Sequence, residues 1–354
     1  MTGFPGFLGS ALLPRILQRT GGEAVCLVQR RFLAAANRRL AELDSDDPSL
    51  RQRIRIIEGD ITQPGLGIDR DVLAEVTEAW HLAAVYDLTI DRETALRVNV
   101  TGTTNMLNAL ERCTSLSRLH YFSTCYVSGR YAGPFSEEEL EVGAPFNNFY
   151  EETKHLAEAE VRQGMSAGMP ATIYRPSIVV GDSRTGETQK FDGPYFVMQW
   201  LLRQPRKAVL PVVGDPAMAR VNLVPRDFVV DAVAYLSGQS SSAGRTYHVA
   251  DPHPLTVAEL ISVLAEATGR DVVSIPLPRR LAKASIRHVP GIYRLLRMPA
   301  EAVDYFAHPT YYLTEHIRED LAGSGIEAPP FPSYVDRLVA FMRAHPDLGS
   351  AAMY

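Results

Sequence analysis

Thr2-Gly3-Phe4-Pro5-Gly6-Phe7-Leu8-Gly9 sets three glycines at three-residue spacing directly before a helical pattern over Phe7–Arg19. Glycine at such positions lets a backbone turn approach a pyrophosphate, and the N-terminal end of the following helix favours its negative charge. An ordinary glycine-rich turn has the same spelling. Context weighs against it, because Ala24–Val28 follows as a short apolar strand at the distance a βαβ unit needs.

Outward from this stretch, short apolar runs at Ile54–Glu58, Ala79–Leu82, Leu119–Ser123, Ala171–Tyr174 and Tyr247–Val249 alternate with longer patterns. The latter predict helices over Phe32–Leu43, Val72–Val76, Arg92–Arg112 and Tyr150–Ala167. Such alternation predicts an α/β fold, a Rossmann-type doubly wound parallel sheet. After Val180 the text loosens into the Gly- and Asp-rich stretch Gly181–Pro194, followed by helical segments at Tyr195–Arg203 and Val257–Thr268 and by helical spacing over Pro276–His345. Loops this long are usually functional. The expected division is a dinucleotide-binding domain over residues 1–180 and a smaller, mostly helical substrate lobe over residues 181–354, interleaved with the final Rossmann strands near residues 221–250.

The 354 residues provide about two domains, or one large domain with an appended lobe. At 46% hydrophobic and 22% charged residues the chain resembles neither a disordered segment, nor collagen, nor a coiled coil. A net charge of -5 provides no global pull toward nucleic acid. Three cysteines, Cys26, Cys113 and Cys125, are too few and too odd in number for a disulfide framework, which makes the cytoplasm the expected compartment. No apolar run approaches the length of a transmembrane segment, and no secretory leader pattern opens the chain.

At the end of the second strand an enzyme using NAD carries an acid for the ribose 2′-hydroxyl, whereas this chain reads Val28-Gln29-Arg30-Arg31. Guanidinium groups suit a 2′-phosphate, so Arg30 and Arg31 favour NADP, as NADPH, over NADH; two solvated arginines opening a helix are the plainer reading. Tyr150-Glu151-Glu152-Thr153-Lys154 places a phenol and an ammonium one helical turn apart. A free phenol exchanges protons poorly at neutral pH, and a nearby ammonium lowers its pKa toward usefulness. Alone, this spacing is more often a surface pair. Its companion, Tyr121-Phe122-Ser123-Thr124-Cys125-Tyr126-Val127-Ser128-Gly129, presents a strand-end hydroxyl about 25 residues earlier.

With the glycine motif, the strand-end hydroxyl and Tyr-x-x-x-Lys in this order, the chain resembles an extended short-chain dehydrogenase/reductase. Gly59-Asp60-Ile61-Thr62, His81-Leu82-Ala83-Ala84, Asn99-Val100-Thr101-Gly102-Thr103 and Arg175-Pro176-Ser177-Ile178-Val179 narrow this to likeness with the thioester reductase and fatty acyl-CoA reductase branch, over about residues 1 to 250. The resemblance implies Tyr150 as proton donor or acceptor. Lys154 would hold the nicotinamide ribose and depress the Tyr150 pKa, and Thr124 would hydrogen-bond the substrate oxygen. The cofactor would meet Gly3, Phe4, Pro5, Gly6, Phe7, Leu8, Gly9, Asp60, Ile61, Ala83, Ala84, Pro176 and Ile178 beside Arg30, Arg31, Tyr150 and Lys154. Asn99 would brace the active-site strands. Two features depart from the pattern: Gln29 stands where this branch often has arginine, and Pro14 interrupts the first helix, where it should produce a kink.

The expected function is therefore transfer of hydride from NADPH to a carbonyl, an acyl thioester on CoA or on an acyl carrier protein, or an aldehyde. Three alternatives stay open: a nucleotide-sugar epimerase or dehydratase that retains NAD, a non-catalytic NADP-binding regulator, and oxidation of a hydroxysteroid-like alcohol. A homodimer is an option the family offers. Cys125 reads as a buried strand-end cysteine rather than a nucleophile, and the nine histidines show no metal-ligand spacing. Arg279, Arg280, Lys283, Arg287, Arg294 and Arg297 form a basic stretch without an acid, open to CoA or carrier phosphates, to a membrane surface or to plain solvation. Finally, only Met1 precedes the glycine turn, where about five residues of central strand are expected. The expectation is a chain lacking that strand, in which an added β-branched extension raises both melting temperature and NADPH affinity.

Overall fold

The computed structural model describes residues 1–69, 71–86, 89–278 and 300–349; the six cations of the basic stretch lie outside them. Helix α1 (Phe7–Thr20) follows the glycine turn, and its buried Gly9, Leu12, Leu13, Ile16 and Leu17 form one stripe facing inward. It runs through Pro14 without ending there and stops at Gly21, whose left-handed φ of 66° lets its N–H reach Leu17 O. Strand β1 (Ala24–Val28), α2 (Leu33–Asp46) and β2 (Ile54–Glu58) come next, and β1 and β2 pair in parallel. After the short α3 (Asp71–Ala74) comes β3 (Glu78–His81).

The expected helix over Arg92–Arg112 is instead three pieces, α4 (Arg92–Ala95), a π-helical turn at Leu96–Thr101 and α5 (Gly102–Leu110). The wide turn contains Asn99, whose amide is drawn inward to Val85 and Thr153; such bulges mark functional positions. Strands β4 (Arg118–Phe122) and β5 (Gly133–Phe135), helix α6 (Phe149–Ser166) and strands β6 (Ala171–Pro176) and β7 (Ile178–Val180) lead out of this half.

Beyond lie α7 (Pro194–Leu202), β8 (Lys207–Val212), β9 (Arg220–Val221), β10 (Leu223–Pro225) and α8 (Arg226–Ser237). Next come β11 (Thr246–Val249), β12 (Leu255–Thr256), α9 (Val257–Thr268), β13 (Asp271–Pro276), β14 (Thr310–Tyr312), α10 (Glu315–Asp320) and α11 (Val335–Ala344). Met198, Leu201, Leu210, Leu260, Leu264 and Leu338 close a second core here. This part is less helical than expected, because β8 and β13 form a parallel pair and β14 pairs with β5. Helix α8 returns to the first half, where Phe228, Val229 and Val233 pack with Leu12 and Ile16 of α1.

The main sheet has the order β11-β6-β4-β3, all parallel. Between β3 and β1 stand Met1 and Thr2: Thr2 N donates to Trp80 O at 2.8 Å, and Leu27 N donates to Met1 O at 2.9 Å. The full succession is thus β2, β1, Met1–Thr2, β3, β4, β6, β11. This is the doubly wound order, with its reversal at Thr2. Among the described residues no strand-length segment fills that position. Ligands of such sheets bind outside the carboxyl ends of the strands where the order reverses.

Candidate active site

Asn148 caps α6, accepting the Glu151 N–H at 3.0 Å, so Tyr150 sits in the first turn and Lys154 one turn deeper. Opposite, the chain leaves β4 through Ser123 and Thr124, and Thr124 opens a short turn over Cys125–Ser128. The Thr124 hydroxyl donates to Pro176 O at 3.4 Å and accepts the Tyr126 N–H at 3.3 Å, close enough to the Tyr150 phenol to act on its ionisation. Burial drives the Tyr150 pKa above its ordinary value, the Thr124 hydroxyl pulling weakly the other way, so the phenol is held protonated. Lys154 is likewise buried, and desolvation brings its pKa down to about 7 against the upward pull of Glu158. The expectation that Lys154 depresses the Tyr150 pKa fails here. Its Nζ donates to Tyr121 Oη at 3.0 Å and to Phe122 O at 2.6 Å, and burial of the phenol dominates.

The glycine turn fits a pyrophosphate. Gly3 has φ 85°, and a Cβ there would stand 2.7 Å from Leu82 Cβ and 3.0 Å from Ala83 N. A Cβ on Gly9 would stand 2.5 Å from Gly3 O. Helix α1 begins at Gly6 without a side-chain cap, which leaves its first-turn N–H groups for an anion. Phe4 is buried in the core under the turn, whereas Ala83 and Ala84 line the strand end beside it. At the far end, Arg30 and Arg31 are exposed just beyond β1; the Arg31 guanidinium donates to Gln29 Oε1 at 2.9 Å and lies 4.7 Å over the Phe32 ring. Asp60, just beyond the end of the adjacent β2, stands near Gln29 and Arg31. Partial burial works to raise its pKa, but hydrogen bonds from Thr62 and Gln29 and the Arg31 charge bring it below the usual value. Ile61 turns inward instead, packing in the core against Gly102. Pro176 O accepts from Thr124 Oγ1 at 3.4 Å, and Ile178 lies beside Gly193.

Several residues here had no signal in the one-dimensional pattern. The Tyr86 ring meets the Tyr150 ring edge-on with centroids 4.9 Å apart, and Lys190 Nζ, from the long loop after Val180, lies 4.1 Å over Tyr86. Glu151, next to Tyr150, is fully buried on Asn147 N at 2.8 Å, and desolvation raises its pKa to about 7. Glu158, one turn beyond Lys154, is gripped by the fully buried Arg175 at 2.6 Å and by Arg162 at 3.0 Å. Only the i, i+4 spacing of Lys154 and Glu158 could have hinted at that carboxylate. Cys125 Sγ is buried on Arg175 O at 3.0 Å, and burial pushes its thiol pKa up, the opposite of what a nucleophile needs.

The model of the Male sterility protein family matches residues 1–233. The chain is 27% identical over 298 residues to aldehyde reductase lnaA of Aspergillus flavus, covering 77% of this chain and 28% of that protein. It is 27% identical over 275 residues to fatty acyl-CoA reductase wat of Drosophila melanogaster, covering 66% of this chain and 52% of that one. The chain therefore spans about half the length of one of these curated relatives and less than a third of the other. The terminal R domain from the myxalamid PKS-NRPS biosynthetic pathway superposes with a TM-score of 0.84 at 26% identity, covering 99% of this chain and 91% of that one. No helix among the described residues is long and apolar enough to cross a membrane.

Proposed function

We propose that this chain, which belongs to the Male sterility protein family of extended short-chain dehydrogenases/reductases, reduces the carbonyl of an acyl thioester or aldehyde with NADPH. The observation that carries the reading is a buried phenol close to a strand-end hydroxyl and to a buried amine, at the reversal point of the sheet. Bound in the glycine turn, the nicotinamide cofactor supplies the hydride. Thr124 and Tyr150 donate to the substrate oxygen as negative charge develops on it, and Tyr150 delivers its proton there. From a thioester, collapse of the resulting tetrahedral species releases a thiol and an aldehyde. Lys154, which donates to Tyr121 Oη and Phe122 O behind the phenol, would hold the nicotinamide ribose.

Arg30 and Arg31, with Gln29 in place of an acid, support NADPH. The family likeness to an acyl-CoA reductase supports a thioester, carried on CoA or on an acyl carrier protein, and the likeness to an aldehyde reductase supports an aldehyde. The test is NADPH and NADH oxidation with acyl-CoAs, carrier-bound acyl groups, long aldehydes and nucleotide sugars. NADPH oxidation with a thioester or aldehyde is expected. Protein that holds NAD through purification and converts a nucleotide sugar without net cofactor oxidation would overturn the reading.

A further inference from the structure

Helix α8 opens on Arg226, directly after β10, and the chemistry above gives this cation no part. Arg226 is only 9% exposed, and its guanidinium carbon stands 5.1 Å over the ring of Phe7, the first residue of α1. On its other side lies the loop that follows β7: Arg226 N donates to Gly181 O at 3.4 Å, and Asp182 and Glu187 are the acids nearest the guanidinium.

A guanidinium has five N–H donors and accepts nothing. Among the described residues Arg226 makes one side-chain hydrogen bond, from Nη2 to Glu187 Oε2 at 3.3 Å, and Asp182 Oδ2 stands 3.7 Å from the same nitrogen. Both separations exceed the roughly 2.7 to 2.9 Å of a well-made charged hydrogen bond. Arg175, just as deeply buried, shows the contrast: its Nε, Nη1 and Nη2 meet Glu158, His248 and Glu158 again at 3.1, 3.0 and 2.6 Å. The acids beside Arg226 are engaged elsewhere. Asp182 Oδ1 accepts Arg184 N and Thr185 N at 2.9 and 3.1 Å, and Asp227 accepts Ser183 N and Ser183 Oγ at 2.8 and 2.6 Å, so both carboxylates hold the loop's own turn. Glu187 is half-exposed, and water screens its pull.

Two observations meet at the first turn of α1. One is a helix of 14 residues that starts after Gly6 without a side-chain cap, its first N–H groups left for an anion. The other is a mostly buried cation, its donors largely uncommitted, lying on the ring of that helix's first residue. A desolvated guanidinium is costly to keep without acceptors, and an anion held at the helix start supplies them. We propose that Arg226 is a binding residue for the pyrophosphate of the dinucleotide, reaching it across Phe7, and that Glu187 competes with the pyrophosphate for the guanidinium. The inference rests on the dinucleotide reading given under the proposed function. It assigns Arg226 a different task from Arg30 and Arg31, whose 2′-phosphate only NADPH carries, because the pyrophosphate is common to NADPH and NADH.

Calorimetric titration of the full chain with NADPH, NADH, ADP-ribose and adenosine 2′-monophosphate tests this. Arg226→Gln should raise the Kd for NADPH, NADH and ADP-ribose by a common factor, about ten- to a hundredfold for one lost charged hydrogen bond. Adenosine 2′-monophosphate, which has no pyrophosphate, should bind the variant as it binds the wild type. Glu187→Gln should act in the opposite direction and tighten the three pyrophosphate ligands roughly two- to fivefold, the range for an exposed ion pair, since the competing carboxylate is gone. Were Arg226 only a strut between the loop and α1, the same change would loosen the strut and could not tighten binding. Glu187→Gln also decides where Arg226→Gln fails to fold. Unchanged Kd values in folded Arg226→Gln, or unchanged or raised ones in Glu187→Gln, overturn the proposal and leave the proposed function standing. A wild type that binds neither dinucleotide nor ADP-ribose overturns the proposed function and this proposal with it.

Discussion

Replacing Arg175 with methionine should cost this protein about 3 to 5 kcal/mol, because it strips a buried carboxylate of its main partner. Arg175 is fully buried on β6. Its Nε and Nη2 grip Glu158 at 3.1 and 2.6 Å, Nη2 also reaches Glu139 O at 2.7 Å, and Nη1 meets His248 Nε2 at 3.0 Å. Methionine fills similar volume and supplies none of these donors, so Glu158 would retain only Arg162 at 3.0 Å. A second route gives a similar figure. Burial opposes ionisation of Glu158, yet the Arg175 charge and hydrogen bond, with Arg162 behind them, lower its pKa from 4.5 to about 2, worth about 3 kcal/mol at neutral pH. The sign follows from the depressed folded value: this stability is present above about 4.5 and is lost as pH falls toward about 2. Urea unfolding at pH 7 and at pH 3.5 checks both parts. At pH 3.5 the wild type should have lost about 1 kcal/mol on this group, whereas the variant should show little of that slope. A loss below about 1 kcal/mol at pH 7, or equal pH slopes in the two proteins, would refute the reasoning.

Three further outcomes are expected. Tyr150→Phe should bind NADPH nearly as the wild type does while its kcat falls by roughly two to four orders of magnitude, and near-normal turnover would remove the phenol from the chemistry. Arg30→Ala with Arg31→Ala should weaken NADPH by about 1.5 to 3 kcal/mol in a fluorescence titration and leave NADH almost unaffected; equal losses would assign the pair to the fold. Gly3→Ala forces a side chain into φ 85° and within 2.7 Å of Leu82 Cβ, so it should lower the melting temperature and raise the Kd for NADPH at least about tenfold, and wild-type values for both would show that the turn is looser than its contacts imply.

What could be read in one dimension was whatever depends on local pattern. Ala24–Val28 and Ile54–Glu58 are strands over the bounds their short runs predict, and helix α1 starts at Phe7, where its pattern predicts. Elements whose existence depends on a distant partner escaped notice: β8 and β13 pair across some 60 residues, and Gly133–Phe135 is a strand only because Thr310–Tyr312 lies beside it. The break in the helix over Arg92–Arg112 has the same origin, since nothing near Asn99 in sequence announces Val85 and Thr153 as its partners.

The site divides along the same line, and the division has a chemical consequence. Spacing alone set Lys154 one helical turn from Tyr150, and Thr124 was placed with them by the family resemblance rather than by local pattern. Protonation states are not local. An isolated Tyr and Lys one turn apart predict an ammonium that acidifies a phenol, yet folding buries both, turns the amine toward Tyr121 and Phe122, and leaves the phenol less acidic than in water. Ligand-free, burial thus holds the phenol protonated and brings the lysine pKa down to about 7, with Glu158 pulling it toward the charged form. Under the proposed function, negative charge developing on a substrate oxygen beside Tyr150 would, by the same electrostatics, stabilise the ammonium further.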